Sequence, residues 1–198
     1  MNQQNRLRTC GLVLFLMLLP AGRSAAQSVY PLHEKGEKET EPALVGTWEA
    51  WGFRFTFEPV EDGGYKLTLA DNDDELPLRC TYRIHLVRLR RELYFDAEFE
   101  KTTIAGKNAS DLAFAVPLHL LLKVTFDNDN LTMIFPNDEW FLREAKGGNI
   151  RLRYETFGDT TLLMATTDEL RDFVSVYSGD LFGSPGEKLT LTRVPEEI

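Results

Sequence analysis

The sequence predicts a mainly β protein, an antiparallel up-and-down barrel of about eight to nine strands with two short helices late in the chain. Apolar and polar residues alternate with a period of two in one segment after another. Most of these segments are joined by turns rather than by connections of crossover length, and helical signals come only after residue 135. The alternative is a two-sheet sandwich, but the long meander favours the closed barrel.

The strands of the first two thirds of the chain are predicted from this alternation. Phe53, Phe55 and Phe57 share one face of a strand, and the Glu61–Gly64 turn leads into a second strand over Tyr65–Leu69. Further strands are expected over 78–86, 93–99, 118–126 and 131–135. Turns are expected at 90–92 and 127–130, and a long connection at 101–117.

The last third mixes helices with strands. Asn137 caps a short helix that ends at Gly147–Gly148. Thr166 and Glu169 form a capping box that opens a second helix, and Gly179–Gly186 is expected to be a loop. The remaining strands are predicted over 150–154, 160–165 and 188–194.

The first 26 residues are predicted to be a secretory signal peptide. Arg6 and Arg8 precede an apolar run, Gly11–Pro20, and small residues lead up to a cleavage site after Ala26. The apolar run is shorter than the roughly 20 residues that span a bilayer. An uncleaved anchor is the alternative. Export to the periplasm or the extracellular space follows from this interpretation.

The rest of the chain is predicted to be a flexible leader, 27–42, and one barrel domain, 43–198. Cleavage would remove Arg6, Arg8 and Arg23, so Lys plus Arg falls from 22 to 19 against 31 acids and the net charge from -9 to -12. This balance excludes nucleic acid as an expected partner. After cleavage Cys80 is the one cysteine left, which excludes an internal disulfide and predicts a buried, inert thiol.

Several segments resemble a family of uncharacterised bacterial exported lipocalin-like proteins. "LVGTWEAW" is similar to the Gly-x-Trp opening of lipocalins and of the wider calycin group. "HLVRLRRELYFDAEF", "VPLHLLLKVTFDNDNLTMIFPNDEWF" and "LLMATTDELRDFVSVYSGDLFGSPGEKLTLTRV" resemble the family's later strands and helix. The resemblance implies a calycin-like barrel in which Trp48 closes one end, and an envelope or secreted location. It implies no particular activity.

The barrel interior is the predicted ligand site. Which strand face points inward is open; Arg54, Arg83 or His85 would supply polar groups if the polar face did. With the apolar face inward, a core nearly filled by its own side chains is slightly favoured over a hollow one. The residues expected to contact a small hydrophobic ligand are Trp51, Phe53, Phe55, Tyr82, Ile84, Phe95, Leu120 and Leu122.

No catalytic residue, metal site or cofactor is assigned. His85 and His119 lie on strands and His33 in the leader, without any spacing typical of a metal site. The acidic residues near 71–75 and 127–129 fit solvated turns better than calcium loops. Three functions stay open: a carrier of a small hydrophobic molecule, an envelope interaction protein with a packed core, and an enzyme that uses His85 or His119.

Overall fold

The computed structural model describes residues 27–61, 63–71, 78–104, 107–108, 118–127, 129–158, 160–183 and 187–195. The predicted signal peptide lies outside these residues, and so does most of the connection over 101–117. Asp73, Asp74 and Glu75 are outside them as well. None of the helices in the described part of the chain has both the length and the apolar character needed to cross a bilayer.

Eight strands close into an antiparallel barrel, as the sequence predicts. They are β2 (Gly46–Ala50), β3 (Phe53–Pro59), β4 (Tyr65–Asp71), β5 (Leu78–Leu89), β6 (Glu92–Ile104), β8 (His119–Asp127), β9 (Asn130–Ile134) and β12 (Lys188–Arg193). Each pairs with its neighbour in that order, and β12 returns to β2 to close the circle. Closure leaves none of these eight strands as a long unpaired edge.

Four short strands lie outside the closed circle: β1 (Gln27–Ser28), β7 (Lys107–Asn108), β10 (Tyr154–Phe157) and β11 (Thr160–Leu163). β1 pairs with β8 on one side and with β11 on the other, and β10 follows β11. β7 pairs with the last residues of β6. Between β9 and β12 the chain also forms helices α1 (Asp138–Lys146) and α2 (Thr167–Leu181).

Both predicted helix starts are confirmed at the level of their hydrogen bonds. The Asn137 side chain accepts from the backbone N–H of Trp140, and the two halves of the Thr166–Glu169 capping box are both formed. Two other boundaries were wrong. The chain becomes a strand only at Tyr154 rather than at Ile150, and α2 continues through Gly179 to Leu181. In α2 the apolar face, which includes Leu170 and Leu181, stays buried to the helix end and outweighs the local weakness of glycine.

In the part of the chain that the structure describes, the barrel wall separates two hydrophobic clusters. The inner cluster fills the barrel with the apolar faces of its strands, so the apolar face points inward. The outer cluster packs α1 and α2 against the outside of β5, β6 and β8 through residues such as Leu89, Tyr94 and Leu121. Strands β5, β6 and β8 are therefore covered on both faces.

Residues 27–42, which the sequence predicts to be a flexible leader, pack along the outside of the barrel instead. Leu32 is fully buried in the outer cluster. The side chain of Arg171 on α2 donates to the Leu32 carbonyl and pairs with Glu34 and Glu37. Glu39 forms a bridge with β5 and an ion pair with Arg88. The polar composition that suggested flexibility instead provides partners for side chains of the barrel and of α2.

Candidate functional site

The interior of the barrel contains a small space lined by apolar side chains. Its volume is about 20 Å³, which is room for one or two water molecules. Six strands contribute to it. The lining residues are Phe55, Leu67, Leu69, Tyr82, Ile84, Phe95, Ala97, Leu120, Leu122 and Met133.

Six of the eight residues predicted for a ligand site line this one space: Phe55, Tyr82, Ile84, Phe95, Leu120 and Leu122. Phe53 does not line it and is partly buried at the margin of the inner cluster. The polar residues considered for the interior point outward, because Arg54 pairs with Glu49 and Arg83 with Glu100 on the outer surface. The period-two pattern of the sequence is therefore enough to group most of these lining residues on one face.

Trp51 is in a different place from the one that the sequence predicts. Its side chain is 58% exposed at the turn between β2 and β3. Trp51 and Gly52 have φ angles of 54° and 79°, as in a two-residue hairpin turn of type I′. An interior position for Trp51 alongside Phe53 and Phe55 requires an extended chain here, whereas the chain reverses between Ala50 and Phe53. Gly52, which supplies a positive φ easily, was the signal for the turn.

Trp48 has the packing role that was expected of it. Its ring is fully buried, and its indole N–H donates to the Leu44 carbonyl at 2.9 Å. The guanidinium of Arg193 stacks 4.2 Å from the centre of the ring. A ring that is held in this way on its edge and on its face is not available to a ligand.

Cys80 and Tyr82 place polar groups in the inner cluster. Cys80 is buried there, with its Sγ 3.0 Å from the Thr102 hydroxyl. Burial, and next the neighbouring Cys80, raise the pKa of Tyr82 above its ordinary value. Tyr82 is therefore a neutral phenol at physiological pH, and the surface that lines the interior space is apolar throughout.

A second candidate site lies on the outer wall of the barrel, where three histidines surround a buried aspartate. Asp96 on β6 is 1% exposed. Its Oδ1 is 2.6 Å from Nδ1 of His119 on β8, and its Oδ2 is 2.7 Å from Nδ1 of His33. The backbone N–H groups of Leu32 and His33 also donate to Oδ2, at 2.7 and 3.0 Å.

His85 completes this cluster by stacking on His33. The two rings are 3.8 Å apart and nearly parallel. The sequence indicates His85 and His119 as the residues that an enzyme would use, and both lie on the outer wall; it does not single out Asp96 or connect His33 with them. The turn predicted at 90–92 was the signal available in the sequence, because it sets the register of β5 and β6 in which His85 lies opposite Asp96.

Hydrogen bonds set the charges of this cluster. Burial opposes ionisation of Asp96, but the bonds from His119 and His33 outweigh it and lower the pKa of this carboxyl well below its ordinary value. Burial also opposes protonation of His119, but the bond and the charge of Asp96, with Glu98 nearby, raise the pKa of this imidazole. The cluster therefore contains a stable carboxylate that favours imidazolium at His119.

The four residues bind one another rather than forming a ready metal site. Among the described residues, no group of three or more His, Cys, Asp or Glu side chains is placed to hold a metal ion. Both Nδ1 atoms that face Asp96 are occupied by it, which orients the rings of His33 and His119. These contacts attach the 27–42 segment to the outer wall of the barrel.

Another polar cluster joins α2 to the same wall. The carboxylate of Glu92 accepts from Lys123 and from the hydroxyl of Ser178, and the hydroxyl of Tyr94 is 2.7 Å from both Glu92 and Ser178. Burial raises the pKa of Glu92, but these bonds together lower it to about 2. Lys123 also donates to the Ser178 hydroxyl at 3.4 Å, so the cluster joins β6, β8 and α2.

Comparison with known proteins does not add a family to this picture: no family model matches the chain, and neither a curated protein nor a solved structure matches it. The class of protein is therefore indicated by the fold alone. The closed eight-stranded antiparallel barrel is consistent with a calycin-like fold.

Proposed function

We propose that this chain is an exported lipocalin-like protein whose barrel binds one small apolar molecule in its interior. The observation that supports the proposal most directly is that six predicted residues line the same interior space. Pockets for small molecules have mostly apolar walls, and the walls of this space are apolar throughout.

The volume limits the size of the ligand. Pockets for drug-sized molecules measure about 300–1,000 Å³, far more than the 20 Å³ found here. A ligand must therefore displace side chains to enter. Met133 is suited to this, because an unbranched thioether side chain adapts its shape at low cost. Ala97 is the one small residue among the described residues of the lining, and the space beside it is where we expect the ligand to start.

The proposal is tested with purified mature protein. Organic extracts of the protein are examined by mass spectrometry for a bound apolar molecule, and the protein is titrated with the fluorescent probe N-phenyl-1-naphthylamine. We expect binding with one-to-one stoichiometry. Ala97→Leu fills the space and should weaken binding at least about tenfold, whereas Leu122→Ala enlarges it and should strengthen binding.

Leu163→Ala is the matched control, because Leu163 is equally buried but belongs to the outer cluster. It makes the same truncation without changing the interior, so probe binding should stay at the wild-type value. Empty extracts together with no probe binding by the wild-type protein would overturn the ligand proposal. So would an Ala97→Leu variant that folds and binds as well as the wild-type protein.

A packed barrel that works through its outer surface is the second candidate. The small volume of the interior space favours it, because side chains already fill most of the barrel. The two candidates differ in one result of the same experiment. A carrier binds the probe in wild-type form, whereas a packed barrel binds it only after Leu122→Ala creates a cavity.

Export is tested separately by expressing the chain with its own N-terminus in a secreting bacterial host. The apolar run and the small residues before Ala26 predict a shortened protein in the periplasm or the medium. Ala26→Phe places a bulky residue at the cleavage position and should leave the precursor uncut. Full-length wild-type protein that remains in the cytoplasm would contradict export.

A further inference from the structure

The start of β1 is held between two strands rather than extending into solvent. Gln27 is in register with Leu120 of the antiparallel strand β8 and with Leu162 of the parallel strand β11. With residues 1–26 still attached, only 6% of Gln27 is exposed, and Ser28, which follows it, is fully buried. The backbone N–H of Val29 continues the contact by donating to the Leu163 carbonyl at 3.0 Å.

This position matters because the proposed cleavage after Ala26 would make Gln27 the first residue of the mature chain. Its free α-amine has an ordinary pKa of about 7.7–8.0, so at neutral pH the amine is largely protonated. An ammonium group between two strands, beside Leu120 and Leu162, loses hydration. Burial of a charge is strongly unfavourable unless hydrogen bonds fully compensate for the lost hydration.

Glutamine is the residue that can remove this charge with its own atoms. We propose that the mature chain begins with pyroglutamate at position 27, an inference that rests on the export proposed above. The α-nitrogen attacks the side-chain carboxamide carbon and forms a five-membered lactam. The side-chain nitrogen leaves as ammonia, and no oxidant or other reactant is needed.

The lactam suits the place of Gln27 in the sheet. It retains one N–H donor and the backbone carbonyl, so it can still form main-chain hydrogen bonds of the kind that hold β1 between β8 and β11. It carries no charge and has no rotatable side chain left to order. The modification therefore removes the desolvation cost of the terminus while it keeps the groups that pair strands.

The N-terminus is read by intact-mass and peptide mass spectrometry of freshly exported protein. We expect a chain that starts at position 27, is one ammonia lighter than the unmodified sequence, and resists Edman sequencing until pyroglutamyl aminopeptidase removes the first residue from unfolded protein. Gln27→Ala is the matched control, because alanine cannot cyclise and should leave a free amine.

A second measurement reads the consequence for stability. In Gln27→Ala the buried amine has a lowered pKa in the folded state, so the unfolded chain binds more protons and stability rises with pH. The thermal midpoint of this variant should fall further below the wild-type midpoint at about pH 6 than at about pH 9. A difference between the two proteins that does not change with pH would contradict the burial argument.

The outcomes separate the modification from export. A chain that begins at Gln27 with a free amine overturns the modification and leaves export intact. A chain that begins elsewhere, or that retains residues 1–26, overturns the cleavage position and the modification with it.

Discussion

At the scale of single residues, Asp96 makes more hydrogen bonds than its place on the outer wall of the barrel suggests. It points out of the barrel, yet it is buried because residues 32–33 cover it and donate backbone hydrogen bonds to it. One carboxylate therefore joins the 27–42 segment, β6 and β8. Trp51 is the reverse case, because its large apolar side chain lies in solvent at the turn between β2 and β3.

Asp96→Asn should reduce the free energy of unfolding by about 2–4 kcal/mol. The amide retains the shape but loses the charge that both imidazoles and two backbone N–H groups face, and such buried charged bonds contribute strongly. Urea unfolding followed by tryptophan fluorescence measures the loss. Glu49→Gln, which breaks the exposed pair with Arg54, is the control and should cost about 0–1 kcal/mol. Equal effects of the two changes would contradict the role given to Asp96.

Stability should depend on pH through the same cluster. His119 has a raised pKa in the folded state, so its contribution is complete below the unfolded value of about 6.5 and is lost as the pH rises through the folded value. Asp96 has a lowered pKa, so its contribution is present above the unfolded value of about 3.9 and is lost as the pH falls. His119→Asn should flatten the decline above about pH 6.5. Urea midpoints measured across this range test it, and a variant with the wild-type slope would argue against it.

Trp51→Asn should leave probe binding unchanged and stabilise the protein by up to about 1 kcal/mol. Asparagine adopts the positive φ of a type I′ turn more readily than tryptophan does, and Trp51 makes no part of the interior lining. Thermal unfolding and the probe titration measure both quantities. A loss of probe binding would indicate that Trp51 contacts the ligand, as the sequence predicted.

At the scale of elements, the strands and helices depend on local rules to different degrees. The capping box sets the start of α2 where Thr166 predicts it, but its end is decided by the burial of Leu181 beyond the glycine that was expected to stop it. The turn before β4 requires glycine for a reason outside its own segment. A Cβ on Gly64 would be 2.7 Å from the Ile84 carbonyl oxygen of β5.

Two glycine-to-alanine changes should therefore have opposite signs. Gly64→Ala pushes a backbone carbonyl away and should destabilise the protein by about 1–3 kcal/mol. Gly179 is exposed inside α2, and a Cβ there would meet nothing within 4 Å. Gly179→Ala should therefore stabilise the protein by about 0.5–1 kcal/mol. Thermal midpoints of both variants are compared with wild type. A stabilising Gly64→Ala would show that β4 and β5 are not so close in solution.

At the scale of the whole molecule, the barrel is closed by contacts between its two ends in sequence. In the described part of the chain, two residue pairs join β12 to β2. Arg193 strengthens this junction, because its guanidinium stacks on Trp48 and donates to the carbonyls of Ala43 and Val45. Closure thus relies on one side chain near the C-terminus of the described chain as well as on the backbone ladder.

Arg193→Ala should destabilise the whole barrel by about 1–3 kcal/mol, because it removes a cation–π contact and two hydrogen bonds together. Arg193→Lys retains the charge but not the planar fork, and its stability should fall between those of the wild type and Arg193→Ala. Lys188→Ala, on the same strand and exposed, is the control. Urea unfolding followed by circular dichroism measures the change, and an Arg193→Ala protein as stable as this control would contradict the closing role.

The sequence by itself determined the closed antiparallel barrel, most of its strands, both helix starts and the common face of six residues that line the interior space. These features follow from period-two alternation and capping, which act between residues close together in the chain. The tertiary structure decided that the apolar face points inward, that side chains leave only a small space there, and that residues 27–42 are attached to the wall. Asp96 meets Leu32 and His33 across 64 and 63 positions of sequence. Such contacts depend on how strands and segments are brought together in space, and a local pattern does not contain that information.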